Sequence, residues 1–319
     1  METIELGRTG IRVSRICVGG MQYSTADTTS DQKFIATVRR AIEAGLNMLD
    51  TAPAYGDGHS EELVGEAIAG RRDQVVLATK FMHHEPGDVR KSLEASLRRL
   101  KTDYVDLFQQ HWPFPKPPLA ETLDALLELK REGKIRAIGV SNWMDPEWEE
   151  FSGRENQVDC LQPCHNLLWR SIEPKVLPLC KQHGIGIIPY SPLCQGVLSG
   201  RFRSRADLPP DWHRQNNCRV TVEAFPEVLS VLRVVEEVAK KENKTMGQVA
   251  LRWLLDQEGI TAPIVGMSKP EQVDDNLGAL SWKLDPADWR KLADVSWPLS
   301  ANLKPYDTLW NWHPKTNPS

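Results

Sequence analysis

The chain has 319 residues, 40% hydrophobic and 26% charged, ordinary globular proportions with enough apolar side chains for one large core or two modest ones. Its net charge of -4 gives nucleic acid and anionic membranes no electrostatic reason to bind. No run of roughly 18 apolar residues offers a membrane span. Met1 leads into polar sequence without the regions of a signal peptide, and Cys17, Cys160, Cys164, Cys180, Cys194 and Cys218 are too sparse for a disulfide scaffold, so reduced thiols in a cytoplasmic protein are expected.

In chain order, "TIELGRTGIRVS" predicts a hairpin around a glycine-containing turn. Eight short apolar runs follow as strand candidates: "RICVG", "NMLDT", "VVLATK", "VDLFQQH", "IRAIGVS", "DCLQPCHN", "GIIPYS" and "PIVGMS". Between them, "DVRKSLEASLRRL", "LAETLDALLELKREG" and "IEPKVLPLCKQHG" carry apolar residues at helical spacing, the last two closing on a glycine. The stretch "GRFRSRADLPPDWHRQNN" reads as a long loop after the seventh strand.

Alternating strands and helices demand a parallel sheet, and eight strand candidates separated by helices over this length fit a (β/α)8 TIM barrel, one domain over 1–319 with a tail from 297 reaching toward the barrel mouth. The doubly wound alternative lacks its G-x-G-x-x-G turn: "ICVGGMQYS" has only adjacent glycines. A barrel keeps its chemistry at the carboxyl ends of its strands. Those ends hold Asp50 with Tyr55 in its loop, Lys80, His111, Ser141 with Asn142, Gln162, and Tyr190 with Ser191.

The blocks "LDTAPAYGDGHSEELVG", "LATK", "VDLFQQHWP", "IRAIGVSN", "LQPCHNLL" and "IPYSPL" occur in the order found in the aldo-keto reductases, and the chain resembles that family from "LGRTGIRVSRICVGGM" to "PIVGMSKPEQVDDNL". The resemblance implies a nicotinamide cofactor and a catalytic tetrad of Asp50, Tyr55, Lys80 and His111. Reduction of a carbonyl needs a proton donor and stabilising groups at the developing oxyanion. Tyr55 supplies the proton in this reading; Lys80 favours ionisation of a phenol whose ordinary pKa is about 10; Asp50 anchors the lysine; His111 bonds the substrate oxygen.

By the same resemblance, Ser141, Asn142 and Gln162 hold the nicotinamide carboxamide, and Tyr190 covers one face of the ring. Gly20, Met21, Asp50, Ser191, Leu193, Gln195 and Gly196 complete the cofactor contacts around that end and the pyrophosphate. Arg201, with Arg203 and Arg205 as looser candidates, meets the phosphates, and Gly266, Ser268, Lys269, Gln272 and Asn276 meet the adenosine end. Many relatives carry arginine where this chain has Gln272, so NADP(H) is the expected cofactor with NAD possible. In the same loop Cys194 reads as a small apolar filler rather than a redox group.

Tyr23, Phe81, Trp112 and Trp143, with Met21 and Trp310 or Trp312, are the expected substrate walls beside Tyr55 and His111, for a small carbonyl compound with some apolar surface. A second class of function stays open, a nucleotide-sensing regulatory or binding subunit with vestigial catalysis; an intact tetrad argues for the enzyme. A metal-dependent hydrolase finds no H-x-H or H-E-x-x-H, and His83 and His84 read as a solvated loop pair, so no metal is expected.

Overall fold

A computed structural model describes residues 1–21, 31–82, 86–210, 215–221 and 224–316. β1 (Thr3–Glu5) and β2 (Arg12–Ser14) pair antiparallel, with Thr3 opposite Ser14, as the hairpin expected from the sequence. Then come β3 (Cys17–Gly19), α1 (Asp31–Glu43), β4 (Met48–Asp50), α2 (His59–Ala67), β5 (Val76–Phe81), α3 (Pro86–Leu100), β6 (Val105–Gln110) and α4 (Leu119–Arg131). The second half runs β7 (Ile135–Ser141), α5 (Asp145–Glu150), β8 (Cys160–Gln162), α6 (Val176–His183), β9 (Gly186–Ile187), α7 (Phe225–Glu242), α8 (Met246–Leu255), β10 (Ile264–Gly266), α9 (Glu271–Leu277) and α10 (Pro286–Ser296).

The eight strands from β3 to β10 form one parallel sheet in the order β10-β3-β4-β5-β6-β7-β8-β9. Its two ends meet through a parallel bridge between Ile187 and Ile260 and a hydrogen bond from Ile264 N to Pro189 O (2.8 Å), giving the (β/α)8 barrel. All eight strand candidates fall on these strands. The third helix candidate starts later than its sequence pattern, at Val176, because Glu173 and Leu177 turn back on Arg170 and Ile172 through backbone bonds of 3.2 and 2.8 Å.

Strand β5 shows how the sheet sorts its side chains. Val76 and Ala78 join an interior cluster with Cys17, Met48, Leu107 and Ala137, whereas Leu77 and Phe81 belong to the layer between sheet and helices. Successive residues of a strand face opposite sides, so Lys80 shares the interior face. The hairpin closes the amino-terminal end of the barrel: Leu6, Ile11 and Val13 are buried in that interior cluster, each contributing on the order of 1.5–3 kcal/mol. Gly7 permits the close fit, since a Cβ there would stand 2.4 Å from Asp159 O.

A second apolar cluster gathers α7, α8 and α10 with the C-terminal segment, around Leu232, Trp253, Leu292 and Leu309. Leu193 packs against this cluster and against the layer between sheet and helices. The region after β9 is mostly turns with short 3-10 segments at Cys194–Ser199, Arg205–Asp207 and Cys218–Val220. No helix among the described residues is long and apolar enough to cross a membrane.

Candidate active site

Register brings the polar residues together. Asp50 ends β4, Lys80 stands near the end of β5 opposite Gln109 of β6, and Gln109 lies opposite Gly139 of β7. Tyr55 comes from the turn after β4. The backbone reverses through Gly56, Asp57 and Gly58 with φ of 62°, 52° and 94°, a left-handed run that glycine adopts without the Cβ clash. At Gly58 a Cβ would also meet Arg99 Cδ at 2.5 Å, so a side chain at that position would have to displace Arg99.

Lys80 is the hub. Its Nζ donates to Asp50 Oδ1 at 2.6 Å, to Thr51 O at 3.0 Å and to Tyr55 OH at 3.1 Å, which uses all three ammonium donors. Burial pushes its pKa down, but the charges of Asp50 and Tyr55 and their hydrogen bonds outweigh this and hold it above the ordinary value. The other carboxylate oxygen of Asp50 accepts from Gln109 Nε2 (3.1 Å) and Gln162 Nε2 (2.9 Å).

Lys80 does pull the phenol's pKa down, as expected, but the net shift runs the other way. Burial raises it, the charge of Lys80 pulls it back, Asp50 raises it again, and the net direction is upward. The ammonium is already neutralised by Asp50, so its pull falls short of the desolvation. In this resting arrangement Tyr55 keeps its proton and Lys80 keeps its charge. His111 sets its ring edge-on to Tyr55 at 5.8 Å and 83°. Burial, and then the charge of Lys80, push its pKa well below the usual histidine range, so the imidazole is neutral near pH 7. Its Nδ1 is buried with no hydrogen-bond partner among the described residues.

Beside the tetrad, Ser141, Asn142, Gln162 and Tyr190 form one chain of hydrogen bonds. Tyr190 OH donates to Asn142 Oδ1 (2.8 Å), Asn142 Nδ2 donates to His111 O (3.0 Å), and Ser141 Oγ donates to Gln162 O (2.8 Å). Gln162 turns its Nε2 inward to Asp50 and Gln109. Gln109 was not singled out from the sequence. The signal was there: Leu107, Gln109 and His111 share one face at period two.

After β9 the backbone takes positive φ at Ser191, Cys194, Gln195 and Gly196. A Cβ at Gly196 would press on Phe202 at 3.2 Å and Arg201 Nη2 at 3.4 Å. Arg201 is exposed and lies over the Phe202 ring; Arg203 pairs with Glu236 at 3.5 Å; the Arg205 side chain lies outside the described residues. Beyond β10, Gly266 and Lys269 are exposed and Asn276 is buried. Gln272 Oε1 accepts from both Ser268 N (2.6 Å) and Ser268 Oγ (3.1 Å), so these donors are already engaged. Gly20 lets Ser60 approach, since a Cβ there would lie 2.6 Å from Ser60 Oγ, and Met21 is half-buried. Cys194 is buried, with its thiol pushed up to about 12 chiefly by burial, as suits a filler.

A family model described as "Aldo/keto reductase family" matches residues 15–296. The chain belongs to the aldo/keto reductase family. It is 34% identical over 317 residues to the NADH-specific methylglyoxal reductase of Escherichia coli (strain K12), covering 90% of this chain and 96% of that protein. Among solved structures it is similar to the glycerol dehydrogenase AKR11B4 from Gluconobacter oxydans, with TM-score 0.85 and 31% identity over 96% of this chain and 98% of that one. An aldo-keto reductase from Klebsiella pneumoniae in complex with NADPH matches with TM-score 0.76 and 29% identity, covering 92% of this chain and 95% of that one.

The mouth of this aldo/keto reductase is roofed by its own C-terminal segment. Cys218 N donates to Leu309 O (2.8 Å), Tyr306 OH to Glu147 Oε1 (3.2 Å), and Lys315 pairs with the same carboxylate at 2.7 Å. Trp312 meets Trp112 edge-on at 5.2 Å, and Trp310 lies parallel to Tyr190 at 6.1 Å. Two expected substrate walls are corrected. Phe81 alternates with Lys80 and is buried against Phe108 at 4.8 Å on the helix-facing side. Trp143 is fully buried against Trp148 and Phe151 and donates Nε1 to Gln110 Oε1 at 2.9 Å. Both belong to the layer between sheet and helices. Tyr23, His83 and His84 lie outside the described residues.

Proposed function

We propose that the chain reduces an aldehyde or ketone to an alcohol with NADPH, Tyr55 acting as general acid. The observation that carries this is the simultaneous bonding of Lys80 Nζ to Asp50 and to Tyr55 OH in a buried site. A pure nucleotide sensor has no use for a protonated phenol on a charged lysine beside a neutral imidazole. As negative charge grows on the substrate oxygen, Tyr55 gives up its proton, and the phenolate so formed is held by the Lys80 ammonium at hydrogen-bond distance. His111, neutral and partly open to the mouth, donates a hydrogen bond to that oxygen, while Asp50, Gln109 and Gln162 fix the lysine.

The donor set fits a phosphorylated dinucleotide. Ser141, Asn142 and the carbonyl of Gln162 would bind a carboxamide, Tyr190 would cover a ring, and the bare backbone at Gly196 with exposed Arg201 and Lys269 would meet phosphates. Bound NADPH supplies the hydride. The NADPH complex of the Klebsiella relative supports NADP(H); the NADH-specific Escherichia coli relative keeps NAD as the alternate cofactor. We also read 1–319 as one unit, since the C-terminal segment completes the mouth.

Single-turnover oxidation of NADPH by 4-nitrobenzaldehyde tests the reading. The wild type should react, and Tyr55→Phe should bind NADPH unchanged while turnover falls by a factor on the order of 10² or more. Unchanged turnover would remove Tyr55 from the chemistry, and no hydride transfer by the wild type would favour a binding subunit.

A further inference from the structure

Tyr55 is held by more than its contact with Lys80. Ser60 N donates to Tyr55 O at 3.2 Å, and the Ser60 hydroxyl bonds Thr51 Oγ1 at 2.9 Å. The start of α2 is thereby fastened both to the tyrosine and to the residue whose carbonyl receives Lys80 Nζ. The next residue, Glu61, is fully buried. One of its carboxylate oxygens accepts from Thr79 Oγ1 at 2.6 Å; the other accepts from Arg99 Nε at 2.6 Å, with Nη2 of the same guanidinium also at 2.6 Å. Thr79 directly precedes Lys80 and faces the opposite side of β5. Arg99 also stands behind the left-handed turn, where a Cβ at Gly58 would meet its Cδ and its Nε at 2.5 Å. Two routes therefore join the Tyr55 turn to β5: an inner one from Tyr55 OH to Lys80 Nζ, and an outer one from Glu61 to Thr79.

We propose that Glu61, clamped between Thr79 and Arg99, is a positioning residue for proton transfer, fixing the separation of the Tyr55 hydroxyl and the Lys80 ammonium from the outer face of the sheet. This deepens the reductase reading above and rests on it. A buried ion pair seldom repays its desolvation in stability. What the carboxylate adds is direction, since its two oxygens accept from two different elements, β5 and the end of α3. The phenol comes from a loop and the ammonium from a strand, and a small error in their placement costs rate steeply. The outer route removes that freedom without a group in the mouth.

Thr79→Val removes the hydroxyl at nearly constant volume and provides the test. With the full chain, saturating NADPH and 4-nitrobenzaldehyde, its single-turnover rate should fall at least fivefold while the Kd for NADPH stays within twofold. The solvent deuterium isotope effect on that rate should rise, because proton donation becomes the harder part of the step. Thr79→Ser, which keeps the hydroxyl, should return the rate to within twofold of wild type. A purely structural contact would lower the unfolding midpoint and leave the rate and isotope effect of the folded variant alone. A Thr79→Val rate within twofold of wild type, an unmoved isotope effect, or a serine variant no faster than the valine one overturns the proposal. Should Thr79→Val fail to fold, Arg99→Lys decides, since it keeps a cation beside Glu61 without the planar guanidinium behind Gly58. Its rate should fall at least threefold with the same rise in isotope effect, and a rate within twofold of wild type overturns the proposal. A wild type that does not oxidise NADPH with 4-nitrobenzaldehyde defeats the reductase reading itself. One that does, with the variants unchanged, defeats only the positioning role.

Discussion

Two buried carboxylates of the same barrel, Asp50 at the mouth and Asp106 near the start of β6, show what separates a reactive site from a structural one. Asp106 accepts from Arg72 (2.8 Å), Arg136 (2.5 Å) and the backbone N of Leu77 (2.9 Å). Its cationic partners keep their charge at any ordinary pH, and their side chains are 19% and 51% exposed, so the network ties β5 and β7 to β6, a structural task. Asp50 is equally satisfied, but its partner is a lysine with no exposure that also holds a titratable phenol. Satisfaction of the carboxylate is common to both. A proton that can leave the network exists only at the mouth.

The comparison breaks most sharply at Lys80. Lys80→Met leaves Asp50 buried without its counter-charge and should cost about 3–5 kcal/mol, seen in urea unfolding, together with a loss of turnover at least as large as that of Tyr55→Phe; wild-type stability would mean that the mouth network is not needed for folding. Asp106→Asn should cost less, about 1–3 kcal/mol, because both arginines can turn to water, and kcat of the folded enzyme should stay within twofold. Gly139→Ala tests whether Gln109 belongs to the mouth network, since its Cβ would stand 2.5 Å from Gln109 Cγ. We expect kcat to drop by roughly tenfold as Lys80 loses its fixed position; an unaltered kcat would make Gln109 mere filling.

The smallest effect is at the roof. Between about pH 6.5 and 4, the unfolded chain takes up a proton at His313 that the native ring refuses, so stability falls as pH falls through that window. His313→Phe should flatten this part of the Tm against pH curve, and an unchanged slope would assign the acid sensitivity elsewhere. His111, also held neutral by burial, contributes in the same direction and remains in the variant.

The strand pattern and the blocks at strand ends made the eight strands and the family legible and offered Asp50, Tyr55, Lys80 and His111 as candidates, because a strand's side-chain period is local and a barrel always exposes the same end of its strands. The period that put Lys80 inside also excludes Phe81, its neighbour, and selects Gln109 with His111; Trp143 lies past the end of β7, where the period no longer applies, and its burial against Trp148 and Phe151 is set by tertiary packing. Other features had no local record. The net upward shift of the Tyr55 phenol depends on how completely Asp50 and the surrounding burial offset Lys80. The inward turn of Gln162 to Asp50 spans 112 positions, and the roof hangs on contacts such as Tyr306 with Glu147, 159 positions apart. Sequence by itself determined which residues end the strands, since short-range periodicity dictates direction. Only the tertiary structure decided which of them share a proton and what covers them, because desolvation and hydrogen bonding are set by neighbours that the chain brings back from far away.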